Sequence, residues 1–153
     1  MKTKNWELTL NTHLNGTFYA VKYAIPAMSK NKANEDGEKG VIINVSSVLA
    51  SMGHKNGLAY SVAKSAIEGM NVGLARDLRG TGIRVATIKP GFFDTPMLKG
   101  FNDGLMNQII ADTASGRVGK PSEMAQFAQQ IIENPFINGQ TLTIDGGILL
   151  RDL

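Results

Sequence analysis

Leu10, Leu14, Phe18, Val21 and Ile25 recur at steps of three and four residues. That period keeps side chains on one helical face, so the pattern predicts an amphipathic helix from about Trp6 to Met28. The polar, glycine-containing stretch NKANEDGEKG then predicts a surface loop. Val41 to Val45, within GVIINVSS, is a short β-branched run between breakers, the pattern of a strand buried on both faces. Small and apolar residues from Ala59 through Leu78 predict a second long helix closed by Gly80 and Gly82, and Ile83 to Ile88 a second buried strand that stops at Pro90-Gly91. Met97 to Ala111 shows weak helical periodicity. Pro121 to Glu133 shows a stronger one, and a proline in the first turn with Ser122 and Glu123 behind it marks a helix start. A last strand, Thr141 to Ile144, ends at Asp145-Gly146-Gly147.

Helices alternating with strands imply a parallel sheet covered by helices, so the expected fold class is α/β with about three parallel strands. In open sheets of this kind ligands bind outside the carboxyl ends of the strands. The turns beginning at Ser46, Lys89 and Asp145 should therefore be neighbours.

Composition narrows the function classes. The 153 residues, 42% hydrophobic and 19% charged, suit one globular domain with a real core. A formal charge of +3 carried by scattered Lys and Arg argues against nucleic acid as a partner. The absence of cysteine excludes disulfides and cysteine-based metal or thiol chemistry and fits a reducing compartment. No apolar run approaches the roughly 20 residues of a membrane span, so no membrane partner is expected. The amino end, MKTKNWELTL, has neither a secretory apolar core nor an Arg-rich transit pattern, which makes a cytoplasmic location the expectation.

The candidate chemistry lies in Ser47, Tyr60 and Lys64. Tyr60 and Lys64 stand four apart in the predicted helix, on one face, with Cβ atoms about 5 to 6 Å apart. A positive charge about 4 Å from a phenol, at an effective dielectric near 20, stabilises its ionised form by about 4 kcal/mol, enough to make the hydroxyl a proton donor and acceptor near neutrality. Ser47, at the carboxyl end of the strand before this helix, can hydrogen-bond a substrate oxygen and hold it against that hydroxyl. The arrangement suits proton exchange with an alcohol or carbonyl. Taken singly, a Tyr and Lys at this spacing also describe an ordinary exposed helix pair, and the serine a loop-capping residue.

GVIINVSS, AYSVAK, GIRVATIKPG followed by FFDTP, and INGQTLTIDGG occur in this order across the chain. Together they resemble the short-chain dehydrogenase/reductase family over essentially its whole length, and GVIINVSSVLA, ARDL and IIENPFINGQ are closest to the branch of type 2 3-hydroxyacyl-CoA dehydrogenases. The resemblance implies the carboxyl-terminal part of a Rossmann-like doubly wound sheet and a nicotinamide-dependent oxidoreductase. Ser47 matches the substrate-positioning serine, Tyr60 the catalytic acid and base, and Lys64 the residue that acts on the tyrosine and binds the nicotinamide ribose. Pro90 and Gly91 match the turn beneath the nicotinamide, with Phe93 near it and Thr95 bonding the carboxamide region. On the residues alone, Pro90-Gly91 is equally a strand-ending turn and Thr95 a helix cap. NAD follows from the branch, with NADP left open; a mitochondrial location also follows only from the branch. The helices Trp6 to Met28 and Ala59 to Arg79 resemble those through which the family dimerises, so a homo-oligomer is expected.

Two departures qualify this. His13 stands where the family motif N-L-x-G-x-F has its catalytic asparagine, in the run His13-Leu14-Asn15-Gly16-Thr17-Phe18. Neither Asn11 nor Asn15 replaces it, because two residues rotate a helical side chain by about 200°. An imidazole can order a water on the path to Lys64, or be simply a tolerated helix residue. The chain also contains no TGxxxGxG turn, the element that holds the pyrophosphate and precedes the NAD-or-NADP selector. The expectation is therefore a partial dehydrogenase domain over 1–153, with Val41 to Val45 left as a strand edge and the isolated chain marginally stable or dependent on a partner. The alternative is a non-catalytic dimerisation or interaction module. Finally, Leu98, Phe101, Leu105, Met106, Ile109 and Ile110 lie where the family closes over substrate, which implies a small hydrophobic alcohol or ketone, acyl or steroid-like; by spacing alone they read as a helix facing the core.

Overall fold

The computed structural model describes residues 1–150. Its first helical stretch comprises α1 (Thr3–Leu10), a π-helical segment (Asn11–Asn15) and α2 (Gly16–Met28). It begins three residues before the predicted start, and the π turn was not expected. Strand β1 (Gly40–Val45) leads into a short helix α3 (Leu49–Met52), which the sequence pattern missed because four residues carry no period. The long α4 (Leu58–Asp77), β2 (Ile83–Pro90), α5 (Asp103–Asp112), α6 (Pro121–Glu133) and β3 (Thr141–Ile144) follow. Helix α6 starts as predicted: the Glu123 carboxylate accepts the Lys120 N–H at 2.7 Å.

The sheet is parallel, in the order β1-β2-β3. Asn44 lies opposite Thr87 and Val45 opposite Ile88, while Pro90 lies opposite Ile144. β2 is buried throughout apart from Pro90, as a central strand must be. β1 is an edge strand of this sheet, as expected for Val41 to Val45, and not the strand buried on both faces that its β-branched run suggests: only Ile42 and Asn44 are buried, and Val45 is 43% exposed. β2 also runs two residues beyond the predicted Ile88, because Pro90 needs no N–H here and its carbonyl accepts from Val48 at 2.9 Å.

Alternate residues of the strands feed different layers. Ile42 and Val85 join Val21, Leu78 and Ile83 in a core shared with Leu74 and Ala75 of α4. Ala86 and Ile88 pack with Ile131 of α6, flanked by Val41, Ile43, Leu142 and Ile144. A third cluster joins Val48, Ile109 and Ile148 beyond the strand ends. The predicted helix over Met97 to Ala111 is two pieces. A 3-10 turn (Leu98–Gly100) stops at Phe101, whose backbone is extended, and the Asn102 side chain accepts the Leu105 N–H at 2.9 Å to start α5 afresh. No helix among the described residues is long and apolar enough to cross a membrane.

Candidate active site

The carboxyl ends of β1 and β2, the amino half of α4 and the π turn surround a cleft of about 510 Å3. His13, Ser47, Tyr60, Lys64, Pro90, Gly91, Phe93 and Thr95 all line it. Residues up to 82 apart in the chain thus meet at one place.

Each is placed by its element. Ser46 N–H donates to the Ile88 carbonyl and Val48 N–H to that of Pro90, so the chain leaving β1 stays zipped to β2 and Ser47 is held between these two anchors. Ser47 Oγ accepts the Leu49 N–H at 3.2 Å, which leaves the hydroxyl proton free. Gly91 donates its N–H to Ile144, and a side chain there would meet the Asp145 Cα at 2.8 Å. Only glycine allows the exits of β2 and β3 to approach so closely. Phe93 forms an isolated parallel bridge with Gly119, whose missing Cβ would sit 2.6 Å from the Phe93 ring. The Thr95 hydroxyl makes no hydrogen bond among the described residues, although its carbonyl accepts from Leu98. Thr95 therefore closes a turn through its carbonyl and presents a free hydroxyl, while Met97 stands at the start of the 3-10 segment.

Lys64 is half-buried, with its Nζ 2.8 Å from the Val45 carbonyl and 5.6 Å from the centre of the Tyr60 ring. One N–H of the ammonium is thereby committed and two remain. Burial lowers its pKa from the ordinary lysine value. His13 meets the Tyr60 ring edge to face, with centroids 5.2 Å apart. Burial first, and the Lys64 charge second, hold its imidazole below the usual histidine value, so it is neutral at pH 7. Asn15 Nδ2 donates to Asn11 Oδ1 at 2.6 Å on the exposed side of the helix. The two asparagines flanking His13 therefore face away, as the helical rotation requires.

The apolar wall divides the Met97 to Ile110 segment. Met97, Leu98 and Phe101 line the cleft, whereas Met106 and Ile109 pack in the core beyond the strand ends, with Phe101 touching both. Spacing could not separate these roles because the segment is not one helix. The structure adds wall residues that sequence reasoning did not single out: Val48, Leu49, and Pro121 and Met124 of α6. Nothing in their local pattern distinguishes them from core.

The chain is similar in sequence and in fold to known proteins. Residues 1–149 match the family model described as Enoyl-(Acyl carrier protein) reductase. The chain is 40% identical over 149 residues to the 3-hydroxyacyl-CoA dehydrogenase type-2 of Mus musculus, covering 97% of this chain and 57% of that protein. It is 32% identical to the 3-oxoacyl-[acyl-carrier-protein] reductase FabG of Thermotoga maritima, covering 98% of this chain and 59% of that protein. The crystal structure of 3-hydroxyacyl-CoA dehydrogenase type-2 from Mycobacterium avium superposes with a TM-score of 0.91 at 28% identity, covering 99% of this chain and 58% of the other. The chain thus spans less than two thirds of the length of these relatives.

Proposed function

Because this chain belongs to the short-chain dehydrogenase/reductase family, we propose that its cleft performs the proton chemistry of hydride transfer between NAD(H) and a secondary alcohol or ketone. The observation that carries the reading is the convergence of Ser47, Tyr60 and Lys64 on one cleft with free donors on all three. The Ser47 hydroxyl hydrogen-bonds the substrate oxygen and the Tyr60 hydroxyl exchanges a proton with it. The Lys64 ammonium lies 5.6 Å from the centre of the Tyr60 ring, and its remaining N–H groups suit ribose hydroxyls. His13, neutral and beside both, offers one N–H and one bare nitrogen and so can pass a proton onward where the family has an asparagine amide.

The donor set fits one end of the cofactor. Lys64, Tyr60 and Thr95 would hold a nicotinamide riboside over the Pro90-Gly91 turn, with Phe93 alongside. When bound, the nicotinamide supplies or receives the hydride at the substrate carbon. The described residues include no glycine-rich turn at a helix start to hold the pyrophosphate, so this end is the part of the cofactor site that 1–153, as a partial domain, would carry. NAD rather than NADP, and a 3-hydroxyacyl-CoA or steroid-like substrate, are supported by the similarity to type-2 3-hydroxyacyl-CoA dehydrogenases and by the apolar wall of Leu49, Met97, Leu98, Phe101 and Met124. Phe18, Tyr19 and Tyr23 on α2 and Leu58, Val62 and Val72 on α4 are exposed, which supports a homo-oligomer formed through these helices.

Titration of the purified chain with NADH, followed by fluorescence, tests the reading. Saturable binding that a 3-hydroxyacyl thioester or a hydrophobic ketone perturbs is the expected result. No binding, with sedimentation showing a stable oligomer, would instead favour a dimerisation module, for which the same exposed residues are the supporting observation.

A further inference from the structure

Beside the cleft lies a second polar cluster, of which Ser46 reaches the lining, and the proposed chemistry does not use it. Lys89 Nζ donates to Ser51 Oγ at 2.6 Å and to Glu68 Oε2 at 3.0 Å. The other carboxylate oxygen, Glu68 Oε1, accepts from Ser46 Oγ at 2.6 Å, and that hydroxyl also lies 3.0 Å from the Lys64 carbonyl oxygen. Lys89 and Ser46 are buried.

Each member adjoins a residue of the cleft. Ser46 precedes Ser47, Lys89 precedes Pro90-Gly91, and Glu68 stands one turn beyond Lys64 on α4. Lys64 is gripped at both ends: its carbonyl oxygen lies beside the Ser46 hydroxyl, and its ammonium donates to the Val45 carbonyl. The ends of β1 and β2, the amino half of α4 and the short α3 therefore meet at one ion pair. A largely buried ion pair is a poor source of stability, because desolvating two charges offsets most of their attraction. Its directional bonds do fix how the four elements sit against one another.

We propose that Glu68 and Lys89, with Ser46, are positioning residues that set the register of α4 against the ends of β1 and β2. They thereby fix Tyr60 and Lys64 relative to Ser47 and the Pro90-Gly91 turn. The inference rests on the reading of the cleft as a dehydrogenase site.

The test is the double variant Glu68→Leu/Lys89→Met, which removes both charges together and so leaves no buried ion unpaired. Three quantities are read on the full chain: the thermal midpoint, the Lys64 titration by NMR of lysine labelled at Cε, and turnover of NADH with a hydrophobic ketone. A positioning role predicts a thermal midpoint close to the parent's, a Lys64 titration that rises toward the ordinary lysine value, and a kcat lower by about ten- to a hundredfold with KM little changed. A double variant with parental midpoint, parental Lys64 titration and parental turnover overturns the proposal and leaves a structural ion pair. Ser46→Ala, which deletes one hydroxyl, gives the same reading should the double variant fail to fold: an unmoved Lys64 titration there also overturns it. If the parent chain neither binds NADH nor turns over, the dehydrogenase reading fails, while the Lys64 titration still decides the positioning role.

Discussion

Under α6 the sheet presents Val41, Ile43, Ala86, Ile88, Leu142 and Ile144, packed with Met124, Phe127, Ala128 and Ile131. Under α4 the intervening residues of β1 and β2 begin as apolar, with Ile42 and Val85, but turn polar toward the cleft: Asn44 opposite Thr87, then Ser46 and Lys89. Asn71 of α4, fully buried, lies three residues from Glu68 and three from Leu74, level with this change. Asn44 Nδ2, Thr87 Oγ1 and both amide atoms of Asn71 have no hydrogen-bond partner among the described residues. A buried polar group without a partner costs about 1 to 3 kcal/mol. One face of the sheet is therefore built for cohesion, while the other gives up cohesion to carry polar groups up to the cleft.

The sharpest way to break this contrast is Tyr60→Phe. It should lower turnover by about 10²- to 10⁴-fold while leaving the thermal midpoint within a few degrees, because Tyr60 is only half-buried and its hydroxyl makes no hydrogen bond within the described residues. Retained turnover in a steady-state assay would remove Tyr60 from the mechanism. Ile131→Ala on the opposite face should do the reverse. Ile131 is fully buried, and its truncation should cost about 2 to 5 kcal/mol in denaturant unfolding, with NADH affinity unchanged in the fraction that remains folded. Thr87→Val keeps the side chain's shape and deletes an unpaired hydroxyl, so it should raise stability by about 1 kcal/mol. A loss instead would mean that the hydroxyl is satisfied in solution.

Two pH experiments complete the series with smaller effects on stability. The lowered pKa of Lys64 means that, between its folded value and the ordinary lysine value of 10.5, the unfolded chain binds more protons than the folded one. Stability then rises with pH across that alkaline window, and Lys64→Met should flatten the rise in the thermal midpoint as well as abolish turnover. The lowered pKa of His13 works the same way below its ordinary value of 6.5: stability is lost as pH falls through the folded value. His13→Asn should make the midpoint less sensitive to acid in that range, and an unchanged acid slope would show that His13 is not held neutral by the fold.

Much of the architecture was readable from single segments. The β-branched runs at 41–45, 83–88 and 141–144 gave the three strands of the described residues, and Pro121 with Glu123 gave the start of α6. Periodicity failed where short-range chemistry overrode it, at the Asn102 cap that splits the lid segment and at the four-residue α3. It failed at the π turn for another reason: an inserted residue there leaves the apolar spacing on either side intact. The site residues were legible because they sit in compact runs such as AYSVAK and IKPGFFDTP, which carry the family resemblance.

The sequence by itself determined the residue types of the cleft, the parallel α/β order and the departure at His13, since these follow from local pattern and from motifs read in order. Only the tertiary structure decided that Met97, Leu98 and Phe101 face the cleft while Met106 and Ile109 do not, and that Ser46, Glu68 and Lys89 meet beside it. The physical reason is separation along the chain. Lys89 is 21 residues from Glu68 and 38 from Ser51, and no local period can report which of two distant charges a strand register will bring together.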